Sequence, residues 1–582
     1  MISPPRGVSN YVEPVEPQAN FLLPAISAEV EAAQEIKEQP ILVITGNPPY
    51  SGHSKNKGEW ITNAIAEYRR LLDELGRPSQ SKWLQDDYVK FIRFAQLKME
   101  GVKEGIVGII TNHSWLDGPT FVGMRRSLLD SFNRIYVLDL HGNAKKVERA
   151  PDGGDDQNVF DIEQGVAISL FVKQPDLDKR VYHAELWGKR LAKYKGLAAS
   201  SVESLDWGPI TPVEPDWLFK PHNIELATAY RNLAAIPDIF SPMGDPAPGV
   251  VTTHDEFAIS FTPQEAKSKV HDLLITASEA DARRKFRLCT QDQWSYDRAK
   301  RELAELDVEA YITSLLYRPF DKRWTVWDRN VAVHRRERVM RHMRDGNVGL
   351  VTSRLTKGED FRHAFATETP IEVISLSPKT SNNGFLFPLY LYSETGRRSE
   401  NFSADFRAFL DTRYEHHYRP QEILGYIYAV LHAQTYRTRY TEFLRIDFPR
   451  IPFPEAKPPF DTLSELGRTL VQAHLLRELP RKKLAGYHGK GDHTVDAVRY
   501  VPADQAVAIN KTQFFKPVPQ AVWEFRIGGY QVLDKYLKSR KGRKLSLDEI
   551  NHVGAVADCL AFTIDQMARI DEAYRAAFPE QG

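Results

Sequence analysis

Four consecutive residues carry the clearest chemistry in this chain: Asn47-Pro48-Pro49-Tyr50. The asparagine amide offers a donor and an acceptor, and two prolines stiffen the backbone beside it. The amide and a prolyl carbonyl can accept hydrogen bonds from an exocyclic amino group while the Tyr50 ring stacks on the base that carries it. The plainer alternative is a proline turn that closes a strand. A second group of residues suits phosphate. Between Phe320 and Asp345 there are eight Lys or Arg against four Asp or Glu, with Trp324 and Trp327 interleaved. Arg323, Arg335, Arg336, Arg338 and Arg341 supply most of that charge, and a later basic stretch holds Lys535, Lys538, Arg540, Lys541 and Arg543. This composition is expected of a surface that grips a phosphate backbone, although arginines beside tryptophans also occur in ordinary domain interfaces.

The elements that must position these residues show in the periodicity. A helical pattern over Phe21–Glu38 hands over to the apolar run from Ile41 to Thr45, which reads as a buried strand. Ligands of α/β sheets sit outside the carboxyl ends of strands, where the Asn47–Tyr50 turn falls. Ser51–Gly58 is a polar, glycine-punctuated loop of the kind that can close over a substrate. Helical spacing continues to Leu75, and a second helix carries Tyr88, Phe91, Ile92 and Ala95 on one face. Strands at Gly105–Ile110 and Ile135–Leu140, with a helix over Phe121–Phe132 between them, predict a mostly parallel doubly wound sheet. A charged loop over Glu148–Gln157 leads to a strand ending at Val172, and Tyr182–Leu186 reads as an edge strand. Farther on, Asp281–Leu306, Gln421–Ala433, Leu463–Leu479 and Asn551–Arg575 read as helices. Asn347–Leu355, Ile371–Leu376 and Phe385–Tyr392 read as strands.

The totals limit the function classes. A chain of 582 residues with 42% hydrophobic residues supports three or four domains with real cores. No apolar run approaches the roughly 20 residues needed to cross a bilayer, and no signal-peptide pattern opens the chain. Cys289 and Cys559 are too few for a disulfide framework or a thiolate metal cluster, which fits a reducing cytoplasm. No metal-ligand spacing stands out. Lys plus Arg and Asp plus Glu balance at 77 each, so any nucleic-acid surface must be local.

In order, these motifs resemble the methyltransferase and target-recognition portion of type ISP and type IIG restriction–modification enzymes. The resemblance rests on Gly46–Tyr50, Ile110–Asp117, Asn158–Val172, Tyr317-Arg318-Pro319-Phe320-Asp321, Tyr436–Pro452 and Trp523–Leu537. It implies an α/β fold: a Rossmann-like methyltransferase sheet, incomplete at its N-terminal half, followed by an α+β target-recognition domain. The implied boundaries are 1–195 for the catalytic part, 196–455 for the first part of the recognition region and 456–582 for the rest. It also implies adenine-N6 methylation of double-stranded DNA. Asn47 and the Pro48 carbonyl would hold the amino group of a flipped adenine, Tyr50 would stack on it, and Phe160 would be a second stacking ring. Flipping costs a few kcal/mol, which a stacking pocket offsets. The implied cofactor is S-adenosylmethionine, but the glycine-rich motif that holds it in this family is missing from the 46 residues before Asn47. The expectation is therefore a component completed by a separate polypeptide carrying the cofactor motif, an ATPase or a nuclease. The alternatives are a DNA-binding specificity subunit and a truncated remnant without activity of its own.

Overall fold

A six-stranded mixed sheet organises the first part of the chain. Its strands are β1 (Val43–Gly46), β2 (Gly105–Asn112), β3 (Arg134–Asp139), β4 (Val166–Lys173), β5 (Arg180–Glu185) and β6 (Gly208–Ile210), in the order β1-β2-β4-β3-β5-β6. The computed structural model describes residues 40–50, 54–75, 78–144, 148–480 and 482–581. The helix expected over Phe21–Glu38, and Ser51–His53 of the loop after Tyr50, lie outside the described residues.

β1 runs parallel to β2, and β3 parallel to β5. β4 is antiparallel to both β2 and β3, and β6 is antiparallel to β5. The expectation of a mostly parallel sheet is thus corrected to a mixed one. No helix is formed by the described residues between β3 and β4, and a return without a crossover helix makes the pair antiparallel. The expectation of a buried first strand is also corrected. Among the described residues β1 pairs only with β2, and Leu42 and Val43 are 51% and 65% exposed. β5 is covered by β6 and is not the edge.

Three helices build the core beside this sheet: α1 (Glu59–Glu74), α2 (Asp87–Glu100) and α3 (Val122–Ser131). In α1 the buried residues Ile61, Ile65, Tyr68 and Leu72 fall on one face at helical spacing, while Arg70 and Glu74 pair one turn apart on the outside. Val107 and Ile109 of β2 join the same core as Trp115, Leu128, Phe171 and Phe219. A helix α4 (Arg190–Ala199) follows β5. The chain parts into two compact units at Ala227/Thr228. The break falls later than residue 195 because β6 still belongs to the sheet and Trp217 and Phe219 still belong to the core.

The second unit mixes short antiparallel sheets with helices. α5 (Pro263–Ile275) is N-capped by Thr262, whose hydroxyl accepts from the Glu265 amide. The helix expected over Asp281–Leu306 is two, Glu279–Phe286 and Tyr296–Ala304, because Arg287 turns left-handed at φ 47° and ends the first. β7 (Ile312–Arg318) and β8 (Asp321–Val326) form a hairpin. A three-stranded sheet places β9 (Gly349–Ser353) between β10 (Ala364–Thr367) and β11 (Gly384–Pro388). Ile371–Leu376 is not a strand. Its contacts are isolated bridges, Ile371 with Leu316 and Glu372 with Val250.

Helices α6 (Pro420–His432), α7 (Lys457–His474) and α8 (Leu547–Ala577) form the apolar body of this unit. α6 is buried nearly all round, as its run of Ile, Leu, Tyr and Val requires. Gly425 of α6 and Gly467 of α7 face each other, and a Cβ on either would collide with the other backbone. α8 begins with a capping box in which Ser546 Oγ accepts from the Glu549 amide and Glu549 Oε2 accepts from the Ser546 amide. A four-stranded antiparallel sheet over residues 486–516 completes the described fold. No helix of the described residues is long and apolar enough to cross a membrane.

Candidate active site and nucleic-acid surface

The turn after β1 places Asn47 at the surface, buries Pro48, exposes Pro49 and leaves Tyr50 half-buried. The Tyr50 hydroxyl donates to Asn47 Oδ1 at 2.9 Å and lies 3.2 Å from the Ile110 carbonyl of β2. Its ring meets Tyr88 of α2 edge-on, with centroids 6.5 Å apart. Burial pushes its hydroxyl up to about 12, so it remains a donor at neutral pH. Asn47 Oδ1 keeps a second lone pair, and the Asn47 side chain is open to solvent. Phe160 lies in the same unit, half-buried against Leu138, Leu140, Val159, Val166 and Ala184. Its backbone is fixed by Asn158 Oδ1, which accepts from its amide at 2.9 Å, and by Arg190, which donates to its carbonyl.

The carboxyl ends of β2, β3 and β5 gather a buried polar cluster that spacing along the chain did not single out. His113 Nδ1 lies 2.8 Å from Asp139 Oδ1, and Lys220 Nζ lies 2.8 Å from Asp139 Oδ2. His141, left-handed at φ 52°, stacks on Trp187 and has Glu185 Oε1 3.4 Å from its Nε2. Burial alone would raise the Asp139 carboxyl, but the charges of His113 and Lys220 outweigh it and hold the group well below the usual carboxylate range. The one sequence signal was positional: His113, Asp139, His141 and Glu185 lie at or just past the carboxyl ends of strands.

In the second unit the predicted phosphate-binding residues divide by burial. Arg323 and Arg540 are both buried. Arg323 donates to both Asp321 oxygens at 2.8 Å, and Arg540 reaches Asp321 Oδ1 at 3.0 Å and Glu549 Oε1 at 2.8 Å. Phe261 lies 3.6 Å from the Arg323 guanidinium and 3.5 Å from that of Arg543. The expectation that Arg323 and Arg540 grip phosphate is corrected, because their donors are committed to an internal ion cluster. That cluster accounts for Asp321 of the Tyr317–Asp321 motif. Arg318 of the same motif is a third buried cation, 2.6 Å from Glu372.

Arg335 is half-committed, donating to the Trp327 carbonyl and pairing with Glu337 at 2.9 Å. Arg338 donates to the carbonyls of Met243 and Asp245 and ties down that turn. Lys538 pairs with Asp534 one helical turn away but is exposed, as is Lys541. Arg336 and Arg341 are exposed, and Arg336 stands at φ 51° at the start of a short helical turn. Of the predicted phosphate-binding residues, Arg336, Arg341 and Lys541 are exposed with no described ion pair, and Lys538 is exposed but paired.

Comparison with known proteins gives solved structures with the same fold, among them the following three. The DrdV–DNA complex, solved by cryo-electron microscopy, superposes with a TM-score of 0.70 at 21% identity, over 93% of this chain and 58% of that one. A nuclease-deletion mutant of the Type ISP restriction-modification enzyme LlaGI, in complex with a DNA substrate mimic, gives 0.68 at 20% identity, over 94% and 54%. The ATP-dependent Type ISP restriction-modification enzyme LlaBIII, bound to DNA, gives 0.71 at 18%, over 97% and 40%. This chain therefore spans less than two thirds of the length of each. No curated protein sequence matches it. The family described as the Type ISP C-terminal specificity domain matches residues 242–566. That stretch is more than half of the 582 residues, and the chain belongs to the Type ISP restriction–modification family through this specificity domain.

Proposed function

We propose that the chain is a specificity component that binds double-stranded DNA in the cytoplasm through its second unit. The observation that carries this reading is the family match over residues 242–566, which lies within that unit. Among the residues singled out in the sequence, the exposed Arg336, Arg341 and Lys541, with Lys538 once it leaves Asp534, would supply phosphate contacts, which position the protein without reading sequence. The test is fluorescence anisotropy of a labelled duplex titrated with the full chain at several salt concentrations. Each phosphate contact contributes about 0.9 to the slope of log affinity on log salt. Arg336→Ala with Arg341→Ala should therefore flatten the slope by about 2 and weaken all sequences alike. An unchanged slope would remove this pair from the surface.

A second reading, supported by the Asn47–Tyr50 turn, adds catalysis in the first unit. The strand arrangement is consistent with part of a Rossmann-like methyltransferase sheet. Asn47 Oδ1 and the Pro48 carbonyl would accept from the amino group of a flipped adenine, freeing its lone pair for an in-line methyl donor, and Tyr50 and Phe160 would stack on the base. The described residues do not by themselves fit S-adenosylmethionine. β1 has β2 as its only described neighbour, and no glycine-rich strand-to-helix turn lies beside it. Residues beyond those described, or a separate polypeptide that could also bring an ATPase or nuclease, would have to complete that pocket. Where methyl transfer by the complemented chain is measured, Asn47→Ala should abolish it, and wild-type rates would refute the assignment.

A further inference from the structure

We propose that His113, Asp139 and His141 form a site for one borderline divalent transition metal ion of the Zn2+ class. Each offers a ligand atom, and the three atoms lie within 4.8 Å of one another among buried groups. Two ligands on one tetrahedral ion stand about 3.3 Å apart. His113 Nδ1 lies 2.8 Å from Asp139 Oδ1 and His141 Nδ1 lies 3.8 Å from Asp139 Oδ2, so each imidazole faces one carboxylate oxygen at a distance within about half an ångström of that value. Two imidazoles and one carboxylate favour Zn2+ over Mg2+ or Ca2+, which take oxygen ligands.

His141 supplies the independent observation. It is 4% exposed, yet neither ring nitrogen finds a partner with hydrogen-bond geometry. Leaving a buried polar group unsatisfied costs about 1–3 kcal/mol, so a ring held this way needs a reason. A metal on Nδ1 provides one, and Glu185 Oε1, 3.4 Å from Nε2, is then the outer carboxylate that metal-bound histidines customarily have. His113 is prepared in the same way. Its Nε2 faces the Asn143 side-chain amide at 3.4 Å. With the metal on Nδ1 the proton moves to Nε2, and the amide turns its oxygen to accept it. Charge also balances. Lys220 lies 2.8 Å from Asp139 and 3.7 Å from Asp117, so Asp117, Asp139 and Glu185 together match one ammonium and one divalent ion.

The proposal is independent of DNA binding and methyl transfer, and its test uses neither. The full chain, stripped with a chelator, is titrated with Zn2+ by calorimetry and with Co2+ by visible absorption. One saturable equivalent is expected, with Co2+ displaced by Zn2+ and not by Mg2+. His141→Ala loses a ring stacked on Trp187 but no hydrogen bond; with its fold checked by circular dichroism, it should weaken binding by more than the roughly 10–100-fold that loss of an outer partner alone costs. His271→Ala, at an exposed histidine, should change nothing. Absence of a saturable site, or unchanged affinity in His141→Ala, would overturn the proposal. X-ray absorption on the Zn2+-loaded wild type gives a check that needs no variant. Two imidazoles in the first shell are expected, and fewer than two would overturn it.

Discussion

Replacing Asp321 with alanine tests whether Arg323 and Arg540 frame the second unit or face its surroundings. The carboxylate is buried and accepts three charge-assisted hydrogen bonds, two from Arg323 at 2.8 Å and one from Arg540 at 3.0 Å. Its removal leaves two guanidiniums in the interior. Arg540 keeps Glu549 at 2.8 Å, whereas Arg323 keeps no carboxylate among the described residues, only the Ser539 hydroxyl at 3.0 Å and ring contacts with Phe261 and Tyr317. Breaking a buried pair from one side costs about 3–5 kcal/mol. With one of the two cations still paired, about 4 kcal/mol is expected for Asp321→Ala, and about 2 kcal/mol for Asp321→Asn, which keeps an acceptor.

Burial alone would raise the Asp321 carboxyl, but the hydrogen bond from Arg323 and the charge of Arg540 hold it below the ordinary value. A depressed carboxyl stabilises fully above its unfolded value of about 3.9 and loses that contribution as pH falls through the folded value. The alanine penalty should accordingly be constant near neutrality and shrink below about pH 4. Urea denaturation followed by tryptophan fluorescence reads both effects. A loss under about 0.5 kcal/mol at pH 7, the scale of an ordinary surface change, would refute the framing role.

Two further outcomes follow from the structure. Isothermal titration of the chain alone with S-adenosylmethionine should give weak binding or none, and low-micromolar binding would restore a self-sufficient methyltransferase. His474 is lowered to about 3 by burial and by the charge of Arg437, and burial likewise holds His432 well below its usual range. Both stay neutral in the fold and gain protons on unfolding, so stability should fall as pH drops below about 6.5, by about 1.4 kcal/mol per pH unit for each; a denaturation midpoint flat between pH 6.5 and 5 would contradict this.

Much of the first unit was legible because its signals are local. The spacing of Ile61, Ile65, Tyr68 and Leu72 gives α1, and the apolar run from Gly105 gives β2. Pairing was not legible. An apolar run looks the same in the middle of a sheet as at its edge, so β1 read as buried although only one side of it is covered by described residues. The direction of β4 depended on a return loop that no periodicity describes. Arginine roles were legible only as composition. Arg323 read as a phosphate ligand because its partner Arg540 lies 217 positions away and Asp321 joins them only in the fold. Arg336 and Arg341 differ from Arg338 only in what surrounds them, since carbonyls at Met243 and Asp245 occupy Arg338 and not its neighbours. The His113–Asp139–His141 cluster escaped for the same reason, its first two members being 26 positions apart.

The central claim, that this chain selects duplex DNA, is tested most directly by incubating the full chain with a pool of random-sequence duplexes, recovering the bound fraction over several rounds and sequencing it. Enrichment of one sequence is expected, bound at least about 10³-fold more tightly than the starting pool at the same salt concentration. Recovered duplexes that remain random, with affinity equal to that of the pool, would contradict it.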